Sequence, residues 1–273
     1  MSTKFLVRLF KISLLTYAFI SATAQAADVL IINGTSTTSE GSTTAQITAT
    51  LDALLQSQGN TTTISDPIPA DISGYDQVWD IRFNPAFTAG EQTQYIDFLA
   101  SGGNMFVMGE NSSFGTRNTA VLALISAAGG GSLSFVTPNS TQNVNEQFRT
   151  PNDIATITYC APGGATAGGV TAGNGVFLSD DGVAGGSAIG FPAGSLTSAP
   201  AGSLAVVFDV NFMQPCGTNA TEFLENLTLF VLEGGGGTPP PARATIPVPT
   251  LSGWGILAMI LLISLIAVGR VRF

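Results

Sequence analysis

The sequence predicts an α/β fold: a doubly wound, mostly parallel sheet with a β-rich or irregular insertion, followed by a C-terminal transmembrane helix. Three observations predict it. Between residues 28 and 128, short apolar runs alternate with segments whose apolar residues recur every three to four positions; this is the βαβ pattern of a parallel sheet covered on both faces. From 132 to 201 the alternation gives way to Gly, Ser, Thr and Ala with short extended pieces. The chain ends in an uncharged run, Trp254 to Val268, followed by Arg270 and Arg272.

The first strand is Asp28 to Asn33, a continuous apolar run as in a buried parallel strand. After a polar loop, Thr43 or Thr44 caps a helix to about Gln58, with Ile47, Leu51, Leu54 and Leu55 on one face and Gly59 as its stop. Thr61 to Ser65 is a second strand and Tyr75 to Phe83 a third. Thr88 opens the next helix, with Glu91 completing a capping box and Tyr95, Phe98 and Leu99 turned inward; Gly102-Gly103 ends it. Met105 to Met108 is a fourth strand. A third helix starts at Asn118 or Thr119, runs through Val121, Leu122, Leu124 and Ile125, and closes at Gly129 to Gly131. Within the insertion, Ile154 to Tyr159 and Gly175 to Leu178 read as extended pieces. Leu204 to Val210 is the last strand, and Thr221 to Leu232 the last helix, carrying Phe223, Leu224, Leu227 and Phe230. Right-handed crossovers make such a sheet doubly wound and flavodoxin-like.

The N-terminus reads as an export signal. Lys4, Arg8 and Lys11 form a basic region, Ile12 to Ile20 an apolar core, and Ala24-Gln25-Ala26 a small-x-small cleavage site, placing the cut after Ala26. The domains are then 1–26 signal peptide, 27–233 ectodomain with the insertion at 132–201, 234–245 Gly/Pro linker, and 246–273 tail. The ectodomain holds all 18 acidic residues of the chain against three basic ones, Arg82, Arg117 and Arg149, a formal −15. Such a surface repels nucleic acid. The chain has no histidine, which removes Ser-His-Asp and Cys-His catalysis and imidazole metal sites together. Its two cysteines, Cys160 and Cys216, most simply form one disulfide in an oxidising compartment. A nucleophilic Cys is the alternative, and the missing His counts against it. No cofactor motif is present: Gly163 to Gly175 matches no phosphate loop, and Asp180-Asp181-Gly182 lacks the alternating acidic ligands of a calcium loop. No metal site is expected.

The tail orders a Val248-Pro249-Thr250-Leu251-Ser252-Gly253-Trp254 motif, a short apolar segment at 254–268 and a basic end. At about 1.5 Å per residue that segment covers roughly 22 Å, so it spans a ~30 Å hydrocarbon core only when extended back through Leu251. Arginines that follow a span stay cytoplasmic, which puts the ectodomain outside. Val248, Pro249, Thr250, Leu251, Ser252 and Trp254 resemble the signature of the IPTL-CTERM sorting domain of Gram-negative bacteria. That resemblance implies a sorting protease of exosortase type and the export machinery as partners. It also implies a membrane contact through the C-terminal helix, and a final place in the cell envelope, at the cell surface or in the matrix. An ordinary C-terminal membrane anchor is the plainer alternative.

Two stretches resemble a second family. Thr88 to Asn111 and Leu204 to Leu232 look like the helix–double-Gly–strand unit and the closing strand and helix of class I glutamine amidotransferase-like domains. In active members the turn after the first strand holds a Cys nucleophile, with a His later. Here Glu110 occupies that place and no His exists, so the activity does not carry over.

Open α/β sheets bind ligands beyond the carboxyl ends of their strands. The candidate binding residues there are Asn33, Arg82, Glu110, Asn111, Ser112, Arg117 and Asn211. Two readings compete. In one, Asn, Ser and Gly shape the turn, Asn118 caps the next helix, Glu110 pairs with Arg117 or Arg82, and the domain is non-catalytic and surface-displayed. In the other, Glu110 and Asp80 form a carboxylate acid–base pair of a hydrolase, or the crevice takes a small polar ligand. A polysaccharide-binding module has only Trp79 as a stacking residue.

Overall fold

The computed structural model describes residues 26–34, 41–214, 216–232 and 234. The expected signal segment up to residue 25, nearly all of the linker, and the tail with its apolar segment at 254–268 lie outside the described residues.

Eleven strands are present among the described residues: β1 Asp28–Ile32, β2 Thr61–Ser65, β3 Gln77–Asp80, β4 Asn104–Gly109, β5 Ser134–Val136, β6 Thr141–Val144, β7 Thr156–Thr158, β8 Gly164–Thr166, β9 Val176–Asp180, β10 Ala188–Phe191 and β11 Ser203–Phe208. The helices are α1 Gly41–Ser57, α2 Ala89–Ala100, α3 Gly115–Ala128 and α4 Ala220–Leu232. Nine strands form one sheet in the order β2-β1-β3-β4-β11-β10-β9-β6-β7, and β5 and β8 form a separate ribbon.

The first five strands of that order are parallel. The remaining four pairings are antiparallel. The expected mostly parallel sheet is therefore corrected: the sheet is mixed, and the β-rich residues 132–201 supply β6, β7, β9 and β10 to it and β5 and β8 to the separate ribbon. The reason is topological. A parallel neighbour needs a crossover of a dozen or more residues, usually a helix. Between α3 and α4 there is no α-helix, only 3-10 turns at Glu146–Phe148 and Val210–Met213. These strands therefore return beside one another in antiparallel fashion. Among the described residues no helix is long and apolar enough to cross a membrane, and the expected C-terminal transmembrane helix at 254–268 lies outside them.

The sheet carries a core on each face. Alternation along β1 sends Val29 and Ile31 into one core and Leu30 and Ile32 into the other. One core gathers Trp79, Phe106, Met108, Val207, Phe212 and Phe223 with α1 and α4; the other gathers Val78, Phe98, Val107, Leu124, Phe191 and Phe208 with α2 and α3. Trp79 is fully buried, stacked on Phe106 at 4.7 Å and donating to Gln77 Oε1 at 3.0 Å. It offers no platform to a sugar.

The local signals that end and begin elements hold where they were clearest. Thr88 Oγ1 accepts from the Glu91 amide while Glu91 Oε2 accepts from the Thr88 amide, the reciprocal capping box of α2. Gly129, at φ +88°, closes α3 in the left-handed region. The start of α3 differs from expectation. A 3-10 turn, Ser112–Phe114, is capped by Asn111, and α3 begins at Gly115. Asn118 lies inside the helix and is not its cap. Its Oδ1 accepts from the Glu110 amide at 2.9 Å and its Nδ2 donates to Asn111 O at 2.9 Å, so it ties the helix to the strand end.

Candidate functional site at the strand carboxyl ends

β3 ends in Asp80, and Glu110 and Asp209 directly follow β4 and β11. Register decides which of these meet. Asp80 pairs with Val107, so Glu110 lies three positions further along β4, an odd offset that places it on the opposite face. Phe208 pairs with Gly109, so Asp209 and Glu110 follow in step on the same face. The expected Glu110–Asp80 acid–base pair is thus corrected: the two carboxylates sit on different faces of the sheet.

Asp80 is fully buried and belongs to a cationic cluster on the α2–α3 face. Arg82 Nε and Nη2 donate to its two oxygens at 2.9 and 2.8 Å, and the Tyr95 hydroxyl donates to Oδ2 at 2.8 Å. Arg117 Nη2 stands 3.4 Å from the same oxygen. Burial alone would raise the Asp80 carboxyl, but the charges of Arg117 and Arg82 outweigh it and hold it at about 2. Arg82 also donates to Glu91 at 2.6 Å, so the capping residue of α2 doubles as a counter-charge.

Arg117 is fully buried as well. Nε donates to Met108 O at 2.8 Å, Nη1 to Pro85 O at 3.2 Å, and its guanidinium carbon lies 4.3 Å from the centre of the Phe87 ring. Burial lowers its pKa, with the Asp80 charge opposing. This is a structural bolt between β3, β4 and α3. The expected pairing of Glu110 with Arg117 or Arg82 does not form, since both arginines are committed to Asp80.

Glu110, 1% exposed, faces the α1–α4 core. Oε1 accepts from the Asn111 amide at 2.8 Å and from Asn111 Nδ2 at 2.9 Å; Oε2 accepts from the Val210 amide at 2.8 Å. Burial pushes it up to about 7, with the Asp209 charge acting in the same direction against those donors. Glu110 is not a strained elbow of the kind that presents a nucleophile. Among the described residues the only non-glycine at positive φ is Asn219.

Asp209 is the site residue the sequence reading missed. Oδ2 accepts from the Cys160 and Ala161 amides at 2.9 and 3.1 Å, and Oδ1 from Asn211 at 2.8 Å. Burial raises its pKa. The available signal was an acidic residue directly after a strand's apolar run, as at Asp80 and Glu110. Of the remaining candidates, Ser112 is exposed in the 3-10 turn. Asn33 is buried at the end of β1, its amide donating to Ser65 O. Asn211 is half-buried and donates to Gln214 Oε1 at 2.8 Å.

Cys160 and Cys216 form a disulfide, with Cα atoms 6.1 Å apart. Asp181 shapes a turn, its Oδ1 accepting from Val183 and Ala184 at 2.9 and 2.8 Å. A cleft of about 490 Å³ opens at the other end of the sheet, lined by Ala27, Tyr75, Asp76, Phe98, Ser101 and Asn104 among others. It contains none of the strand-end candidates.

No family model and no curated protein matches the sequence. Among solved structures, the chain is similar to the mmIFT52 N-terminal domain, at 15% identity and TM-score 0.56, covering 78% of this chain and 99% of that one. It is also similar to ThuA-like proteins from Bacteroides uniformis (14% identity, TM-score 0.49, 77% and 94% covered) and Parabacteroides merdae (11%, 0.48, 80% and 94%). The last two likenesses are too loose to carry an argument. The first shows a shared α/β fold across nearly all of that domain, and no residue's role transfers with it.

Proposed function

We propose that this chain is an exported, surface-displayed, non-catalytic α/β domain, sent out by residues 1–26 and handed through its IPTL-CTERM-like tail to a sorting protease of exosortase type. The observation that carries the non-catalytic part is the closure of the strand ends. Asp80, Glu110 and Asp209 are at most 1% exposed, and each is held by partners within the domain. A general acid or base must reach the proton it moves, and a buried carboxylate whose oxygens are committed to partners within the domain reaches no substrate. The Cys160–Cys216 disulfide supports the export part, because such bonds persist in oxidising compartments. The resemblance of Val248 to Trp254 to the sorting signature supports the processing part.

The test is mass spectrometry of the protein recovered from the envelope and medium of a Gram-negative host that carries a matching sorting protease. The expected species starts at Ala27, ends near Pro249-Thr250 and retains the disulfide. An envelope form with both Met1 and Phe273 intact contradicts export and processing alike.

A further inference from the structure

We propose that Glu110 and Asp209 form a buried proton-binding pair that latches two segments, the Cys160–Gly163 loop and the Val210–Met213 turn, onto the strand ends, closed while one carboxyl holds a proton and released when both ionise. The geometry has three parts. First, the carboxylates are in step on adjacent strands, which run about 4.8 Å apart. Second, each carboxylate holds one of the two segments by backbone amides. Asp209 Oδ2 takes Cys160 and Ala161, and Glu110 Oε2 takes Val210. Gly163 closes the loop: its amide donates to Phe208 O at 2.7 Å, and a Cβ there would stand 2.3 Å from Glu110 O. Third, no cation balances the pair. The basic residues among those described are Arg82, Arg117 and Arg149. The first two are spent on Asp80 and the last on Val144 O and Asp153.

The other groups that face the pair do not supply a counter-charge. From α3 comes the neutral Asn118, bound to the Glu110 amide. Asn111 and Asn211 are neutral donors from the two turns. Tyr159, beside the loop, stays un-ionised, because burial and the Asp209 charge both raise it; its hydroxyl meets Ser179 at 2.8 Å. The titratable groups on α1 and α4 are the carboxylates Asp52, Glu222 and Glu225. Two adjacent anions in a medium of low polarity repel each other strongly, and one proton removes that repulsion.

Opening the latch admits water and returns Glu110 to its ordinary range, so rising pH favours opening between about 4.5 and 7 and has no further effect above that. The opening equilibrium then rises by up to about 300-fold across this window, the size set by the displacement of one titrating group. Amide hydrogen exchange of the full chain at pH 5 and pH 8, corrected for the intrinsic rate, reads it directly. The expected result is lost protection at Cys160, Ala161 and Val210 at pH 8, through an opening of lower free energy than the one that exposes Leu30 and Ile31 in β1, and no such loss in Glu110→Gln. Equal protection at both pH values overturns the proposal. So does exchange of these three amides and of β1 through one common opening, or a pH dependence that survives the substitution. Should Glu110→Gln fail to fold, Asp209→Asn is read the same way, since either removes one member of the pair.

Discussion

Arg82 grips Asp80 from two residues along the same chain: Nε and Nη2 donate to Oδ1 and Oδ2 at 2.9 and 2.8 Å, and both side chains are buried. Such a side-on pair is strong only while both charges are present and both sets of lone pairs are matched. The Tyr95 hydroxyl adds a hydrogen bond at Oδ2, and Arg117 adds its charge 3.4 Å from the same oxygen.

The Asp80 carboxyl is held at about 2, below its ordinary 3.8. A depressed carboxylate contributes stability that is present above the unfolded pKa and lost as pH falls toward the folded one. The domain is therefore expected to lose about 2 kcal/mol from this group between pH 4 and pH 2. Chemical denaturation across that range checks it, and Asp80→Asn is expected to be less stable at pH 7 because it leaves Arg82 and Arg117 buried without their anion.

Glu110 works in the opposite direction. Its carboxyl is raised from 4.5 to about 7, so the folded state holds a proton the unfolded state has lost. Stability is expected to fall by about 3 kcal/mol as pH rises from 4.5 to 7. With Asp80 acting below pH 4, these two groups together place the most stable condition near pH 4 to 5. Glu110→Gln is expected to flatten the upper limb in urea titrations.

Tyr95→Phe removes one hydroxyl that donates to Asp80 and accepts from Arg82 Nη2 at 2.9 Å. The expected cost is about 1–3 kcal/mol, the penalty for leaving buried polar partners unmatched. The ring still packs against Phe87 at 5.4 Å, so the fold is expected to persist and thermal melting to shift downward without loss of cooperativity.

Reducing the Cys160–Cys216 bond, which joins residues 56 apart in sequence, is expected to cost about 4 kcal/mol by freeing a long loop in the unfolded chain. Melting with and without reductant measures this, with Cys160→Ser/Cys216→Ser as the covalent control.

How much was legible in the sequence follows from what each feature depends on. The βαβ alternation from Asp28 to Ala128 was readable because strand, helix and stop signals there are local: the Val29–Ile32 run, the Thr88–Glu91 box, Gly129. The antiparallel half was legible only in part: the extended pieces Ile154 to Tyr159 and Gly175 to Leu178 coincide with β7 and β9, whereas strands such as Thr141–Val144 and Gly164–Thr166 carry too few side chains to show a period. The site residues Asp80, Arg82, Glu110 and Arg117 were found as strand-end polar groups, yet their pairing was misread. Pairing depends on register between strands distant in sequence, where a shift of one residue changes the face. Asp209 was missed for the same reason: its partners, Cys160 and Ala161, are held beside it by tertiary structure alone.

The central claim is that this domain is made for export and delivery and not for catalysis, and the mature termini test it most directly. Intact-mass and terminal-peptide spectrometry of the envelope and released fractions is expected to find a chain that starts at Ala27, keeps Cys160 joined to Cys216, and has lost the residues beyond the Pro249-Thr250 region. Recovery of the full sequence from Met1 to Phe273, with both cysteines reduced, would contradict it.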